Sequence, residues 1–448
     1  MRASLILGAG PGGTGPLIAA AQHGLLRDWL DRGIAMIERA EAIGGTIGRY
    51  VINSDSLGAA YLECLDAPPA RALLAPLREA AVTRELEQQR LGFPPLPLVG
   101  DYLARLGSLL QQAVAASASS EFMARTEIRA LHLQPDGSVA AETLSPCGER
   151  QRIEARTAIL ALGGRQLAAE FIDCELLPSV RLGDIDPAKL ILSDTLFQQA
   201  GLARAKSLLA RASDPRVVII GGRHSAFSAA WLLLTQCGAH FCTPGQIAIL
   251  CRRVAPVFYA TRAEAEADGC IVSESDICPR TRRVHRFGGM RGDGRELWRR
   301  IAGKPGTAPE QRVEIVPLTD AALTPRALRD RLDAATLVIP AFGYRAATVP
   351  IFDCEGRRLA LRADQGGAAV GADARLLLAN GRPLPNVFGI GLGSGFQPSG
   401  AMGGEANRDG QTNSLWLYQN DIGALVYRGV AACLASRREN GALPLSAA

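Results

Sequence analysis

Lysine is nearly absent from this chain of 448 residues. Only Lys189, Lys206 and Lys304 stand among 49 basic side chains, and the rest are arginine. Against 44 acidic residues the net charge is +5, too mild for a nucleic-acid-binding profile. Aromatic residues are also scarce, at 5%. Ten cysteines and five histidines are scattered, with no C-x-x-C pair and no zinc-ligand spacing, so no metal site is expected. Isolated thiols of this kind suit a reducing cytoplasm. No apolar run reaches the ~18 residues of a membrane span. The first strand begins at the N-terminus, which on this reading leaves no room for a signal peptide.

What the chain does have is glycine in the right places. Leu5-Ile6-Leu7 leads into Gly8-Ala9-Gly10-Pro11-Gly12-Gly13, and Leu17 to Ala21 continues at helical spacing. This reads as strand, tight turn, helix. Gly8 allows the turn, Gly10 lets the backbone approach a pyrophosphate, and Gly13 lets helix and strand pack closely. The phosphates would sit at the helix N-terminus, with Pro11 and Gly12 in the same turn. A second strand, Ile34 to Ile37, ends in Glu38-Arg39, where a carboxylate would accept ribose hydroxyls. Gly44-Gly45-Thr46 then offers close approach to a flat ligand. Residues 70–120 read as helices interrupted near Pro94-Pro95, and residues 70–111 are expected to wall a substrate pocket. Residues 122–164 read as a β-meander that closes on Gly163-Gly164.

The plan repeats from Val217. Val217 to Ile220 is a buried strand, followed by Gly221-Gly222-Arg223-His224-Ser225-Ala226, a helix, and a strand Ile247 to Leu250 that runs into Arg252-Arg253. Glu38 suits free ribose hydroxyls and repels phosphate, whereas the arginine pair suits a 2′-phosphate. The charges alone therefore assign FAD to the first site and NADPH to the second. The arginine-dense stretch 280–300 has two readings: a solvated basic surface, or a docking site for a phosphate-bearing or acidic partner such as a carrier protein. Leu337 to Gly343 and Val387 to Gly391-Leu392-Gly393 are further strands ending at glycines. Leu415 to Val426 reads as one helix.

In this order the motifs resemble the flavoproteins with two dinucleotide-binding domains, and most of all the class B flavin-dependent monooxygenases. Leu337 to Tyr344 resembles the A-T-G-Y segment of the N-hydroxylating branch, with Phe342 in place of threonine. Asn386 to Gly391 resembles the late strand that carries a loop to the flavin ring, with Leu392 where an aspartate is common. Arg223 replaces the third glycine of the usual second motif, where its side chain would either crowd the pyrophosphate or pair with it. The Baeyer–Villiger fingerprint is not recognisable.

The resemblance implies an α/β fold of two Rossmann-like domains. An FAD domain with a β-meander (1–200 and 335–448) would hold an inserted NADPH domain (210–334). It also implies hydride transfer from NADPH to FAD, then a C4a-(hydro)peroxyflavin that passes one oxygen atom to a nitrogen or a carbonyl-adjacent carbon. The substrate would be a small or carrier-bound metabolite, of natural product biosynthesis by that resemblance, with a homo-oligomer as one option. Polar residues on the glycine-rich loops are the catalytic candidates: Arg49, Asn53 and Ser54 on the first, Gln397, Ser399 and Asn413 on the last. His224 is read as cofactor-adjacent. A flavin-dependent disulfide or quinone reductase, and a flavoprotein that has lost NADPH chemistry, remain as alternatives.

Overall fold

The computed structural model describes residues 1–408 and 412–439. The apolar run Arg2–Leu7 forms the central strand of the larger sheet because both of its faces are covered; Leu5, Ile6 and Leu7 are fully buried. It pairs in parallel with Ile34–Ile37 on one side and with the second half of Arg150–Leu160 on the other. Glu121–Met123 extends the parallel ladder beyond Ile34–Ile37. Residue 122 therefore opens not the meander but the edge of the nucleotide fold. The meander proper is Glu127–Leu133, Val139–Leu144 and the first half of Arg150–Leu160, all antiparallel. Arg150–Leu160 thus serves two layers, and its C-terminal end also pairs in parallel with Pro383–Gly389. Asn386 secures that junction by donating to the carbonyls of Gly137 (3.0 Å) and Arg156 (2.7 Å).

Helix Pro11–Gln22 packs on this sheet beside Leu26–Asp31, whose buried Trp29 donates its indole N–H to Ser4 Oγ at 3.0 Å. Residues 71–115 form three helices (Arg71–Arg78, Ala81–Gln88 and Leu96–Ala115). Their apolar faces, including Leu77, Leu86, Val99 and Tyr102, join the core of the larger sheet.

The second sheet is wholly parallel, in the order Val313–Pro317, Ile247–Cys251, Val217–Ile220, Leu337–Pro340. Helix His224–Gln236 covers it. Two short antiparallel strands, Gly164–Arg165 and Arg345–Ala346, pair where the chain passes between the two sheets. The C-terminal segment is not one helix from Leu415 to Val426. It is Leu415–Gln419 and Asp421–Glu439, broken at Asn420, whose φ −120°, ψ −103° is not helical. The break lets the chain pass close to the first helix: a Cβ on Gly15 would lie 2.3 Å from the Tyr418 carbonyl oxygen.

Candidate active site

Both glycine turns lie at the C-terminal ends of parallel strands, where open α/β sheets bind their ligands. At the first, Gly8 has φ +102°, and a Cβ on Gly13 would sit 1.9 Å from the Gly8 carbonyl oxygen, so strand and helix meet only through glycine. Gly10 is different: a Cβ there would meet only Gly45 Cα, at 3.7 Å. That opening fits a ligand rather than the protein. Gly12, Gly163 and Gly391 converge on the same edge. A Cβ on Gly12 would be 3.3 Å from Gly391 Cα, and one on Gly391 would be 4.0 Å from Gly163 Cα. Glu38 accepts the Ala9 N–H on Oε2 at 2.7 Å and the Ala40 N–H on Oε1 at 2.9 Å. Its carboxylate braces the turn, and each oxygen keeps a lone pair for a ribose hydroxyl. Arg39 and Thr46 are exposed at this rim. The residues present fit the adenosine diphosphate half of FAD.

The second turn opens on a cleft of about 1440 Å³. Gly221, Gly222, Arg223, His224 and Ser225 line it, with Arg252 and Arg253 on the neighbouring strand end, while Ala226 is buried behind them. A Cβ on Gly222 would lie 2.2 Å from the Arg253 carbonyl oxygen, which brings turn and arginine pair together. Arg223 is the N-cap of the helix with extended backbone (φ −121°, ψ −173°), a conformation any residue adopts. Its side chain is exposed into the cleft. His224 Nε2 is 3.2 Å from the Gly289 carbonyl oxygen, so the ring ties the turn to the arginine-rich loop. Arg252 donates to the Glu175 carbonyl at 3.3 Å. This set fits a dinucleotide bearing an extra phosphate.

The candidate catalytic residues divide. Gln397 is exposed and lines the cleft, as do Gly343, Leu392 and Asn413; Ser399 is exposed beside it, capping a short turn without a hydrogen bond. Residues 409–411 of the last glycine-rich segment lie outside the described residues. Arg49 is not in the cleft lining. Its guanidinium donates to Tyr50 Oη at 3.2 Å and lies 5.2 Å from that ring. Tyr50 and Tyr344 both donate to Asp194 Oδ1, at 2.6 and 3.0 Å. Burial pushes both phenols well up, so they remain donors. Arg49 thus belongs to a brace where the two sheets join. Asn53 likewise donates to Asp293 (3.1 and 3.3 Å) at the start of helix Gly292–Ile301, and Ser54 is buried against Tyr61 Oη at 2.6 Å. Burial raises the Asp293 carboxyl, and the Asn53 bond offsets part of that rise.

Two expectations are corrected. None of residues 70–111 lines the cleft; their apolar faces are spent on the core, and residues 55–63 form that wall instead. The stretch 280–300 is not a solvated basic surface. Arg286 is 7% exposed, and Arg280, Arg283, Arg286 and Arg291 line the cleft. Arg299 pairs with Asp268 at 2.9 Å and Arg300 with Glu296 at 2.8 Å. Glu405, which has no motif around it, is 5% exposed and accepts the N–H groups of Phe287 (3.0 Å) and Gly288 (2.7 Å). It anchors the arginine loop to the C-terminal part of the chain.

No family model matches the chain. A "CMP-5'-(3-aminopropyl)phosphonate hydroxylase" from Streptomyces rubellomurinus is 33% identical over 438 residues, 96% of this chain and 97% of the relative. Among solved structures, the ornithine N-hydroxylase of Kutzneria sp. 744 superposes with a TM-score of 0.51 at 15% identity, covering 98% and 100% of the two chains. The cadaverine monooxygenase of Erwinia amylovora gives 0.54 at 11% identity over 96% and 95%. The ornithine hydroxylase of Pseudomonas aeruginosa gives 0.54 at 14% identity over 96% and 99%. These structures share the fold, with its two nucleotide-binding layers. The chain belongs to the family of the CMP-5'-(3-aminopropyl)phosphonate hydroxylase.

Proposed function

We propose that this enzyme transfers one oxygen atom to the primary amine nitrogen of a small, phosphorus-bearing metabolite, a substrate class that the hydroxylase relative's name suggests. The supporting observation is the charge of the cleft: seven arginines line it against two acids, Asp55 and Glu63. A cofactor's phosphates engage the arginines at the second turn, and the arginine loop is left for an anionic substrate. In this proposal the domain of the larger sheet holds FAD through Gly8, Gly10, Pro11, Gly12, Gly13, Glu38, Arg39, Gly45, Thr46, Gly163, Gly391 and Gly393. The domain of the second sheet, which also includes Leu337–Pro340, holds NADPH through Gly221 to Ala226, Arg252 and Arg253, beside Gly343. NADPH supplies the hydride, and the flavin supplies the activated oxygen when both are bound.

The chain's own residues bind and orient. Glu63 is already engaged, accepting the Trp416 indole N–H at 2.6 Å. Asp55 is exposed in the cleft and is the carboxylate available to an ammonium group. Gln397 offers an amide to the reacting face. Leu57, Phe342, Leu392 and Leu417 give the cleft an apolar side that excludes water.

The test is oxidation of 3-aminopropylphosphonate and its nucleotide-linked form by the FAD-loaded enzyme with NADPH and oxygen. Mass spectrometry is expected to show one added oxygen on nitrogen. Stoichiometric hydrogen peroxide with unaltered amine, across both substrates, would overturn the proposal. Asp55→Asn is expected to raise KM for the amine about tenfold or more, the scale of a lost charge-assisted hydrogen bond.

A further inference from the structure

Three arginines of the loop have no carboxylate partner among the described residues. Among the described residues, Arg283, Arg286 and Arg291 make no ion pair, although all three line the cleft. Their neighbours on the same loop are paired: Arg280 with Asp421 at 2.7 Å, and Arg282 with Glu274 at 3.6 Å. Arg286 is buried and donates to the Met402 carbonyl oxygen (3.0 Å) and to Cys278 Sγ (3.6 Å), a thiol that, against its burial, bonds from Thr281 and Arg286 hold down at about 7. Arg291 donates to the Arg286 carbonyl and stacks on Phe258, 4.1 Å from its centroid. Burial lowers the Arg291 guanidinium below the ordinary arginine range, and Arg283 and Arg286 push it the same way, while Asp55 opposes them. Arg286 and Arg291, buried and half-buried without a carboxylate partner, are costly to hold and gain from an incoming phosphate, with the exposed Arg283 beside them.

The same group carries aromatic rings. The Arg286 guanidinium lies 4.4 Å from the Phe287 centroid and 5.7 Å from that of Trp416, so the two rings flank one cation. Trp416 lines the cleft and is held by its bond to Glu63, and Glu405 fixes the backbone at Phe287. Arginines around a pinned indole suit a nucleotide, whose phosphate takes the charge while its base stacks. Arg252 and Arg253 lie on a different strand end, beside Gly222 and Glu175.

We propose that Arg283 and Arg291, with Trp416 and Arg286 behind them, form a second nucleotide subsite in the cleft that holds the nucleoside 5′-monophosphate portion of the substrate. This rests on the reading of the substrate as a nucleotide-linked amine and assigns the residues that select that handle. Arg283 and Arg291 bind the phosphorus oxygens. Trp416 stacks on the base. Arg286 and Glu405 are positioning residues that hold the indole and the loop. Asp55 would then meet the amine at the other end of the same short molecule.

The test is binding, independent of turnover. Cytidine and uridine 5′-monophosphates, and inorganic phosphate as control, are titrated by equilibrium dialysis into the FAD-loaded enzyme with NADP⁺ saturating. The monophosphates are expected to bind without displacing NADP⁺, and more tightly than phosphate. Arg283→Gln, at an exposed side chain, is expected to weaken them about tenfold or more with little change in NADP⁺ affinity. Trp416→Leu is expected to weaken the monophosphates but not phosphate, which separates stacking from charge. Displacement of NADP⁺ by the monophosphate, or equal weakening of both ligands by Arg283→Gln, would overturn the proposal and return the arginine loop to the cofactor. Should the monophosphate bind as expected while no amine is oxidised, the subsite stands and the N-oxygenation reading falls; the converse result removes only the subsite.

Discussion

The two glycine turns follow one plan and solve it differently. At the first, four glycines and a proline make a seat closed by backbone, and Glu38 reaches back 29 residues to hold the Ala9 N–H. At the second, arginine occupies the N-cap, and the position five residues after the first glycine is Ala226 rather than glycine. The first presents mainly backbone to a ligand, with Glu38 disfavouring extra negative charge. The second presents side chains, with Arg223, Arg252 and Arg253 all lining the cleft. A ligand that stays needs an enclosed seat, and a ligand that comes and goes each turnover is better served by charged side chains in an open cleft.

The sharpest way to break this comparison lies within the first turn. Gly13→Ala would drive a Cβ to 1.9 Å from the Gly8 carbonyl, so loss of soluble folded protein is expected, read by expression and circular dichroism. Gly10→Val has room within the protein and is expected to fold while losing the yellow flavin band. Retained flavin in Gly10→Val would remove the first turn from the FAD site. At the second turn, replacing both Arg252 and Arg253 with alanine is expected to lower the preference for NADPH over NADH by about tenfold to a hundredfold, read as the ratio of kcat/KM values. An unchanged ratio would place recognition of the 2′-phosphate elsewhere.

Smaller effects sharpen the link between the turns. Glu405→Gln weakens the acceptor of two loop N–H groups and is expected to cost about 1–3 kcal/mol, read by chemical denaturation. Asp293 gives the smallest effect. Burial raises its carboxyl in the folded state, so the native protein holds its proton to higher pH than the unfolded chain does. Its contribution to stability is therefore lost as pH rises from the ordinary aspartate range through the raised folded value. Asp293→Asn is expected to flatten that loss and to melt slightly higher than the parent at pH 7. A lower melting temperature at pH 7 would contradict this.

The nucleotide turns were legible because their chemistry is local: a glycine needed for close approach lies within a few residues of what it approaches, as with Gly8 and Gly13. The strands around them were legible from apolar runs buried on both faces. The arginine loop was not, because its meaning depends on partners far away in sequence. Arg286 meets Met402, 116 residues on, and Phe287 meets Glu405, 118 residues on. Charge density alone left both solvent and a phosphate-bearing or acidic partner open. Arg49 and Asn53 carry the same lesson in reverse: polar residues on a glycine-rich loop suggested chemistry, but Tyr50, Asp194 and Asp293 occupy them at the join between the sheets. Residues 70–111 read correctly as helices, yet which face meets the cleft is settled only by packing.

The most direct test of the central claim, that two unlike nucleotide seats work together, is an anaerobic titration of the purified protein with NADPH, followed by oxygen in the presence of the nucleotide-linked aminophosphonate. The account predicts that the oxidised flavin band bleaches with one equivalent of NADPH, and that on admitting oxygen the band returns as the amine gains one oxygen atom. A flavin that stays oxidised under NADPH would contradict it, for the second turn would then not deliver a reductant to the first.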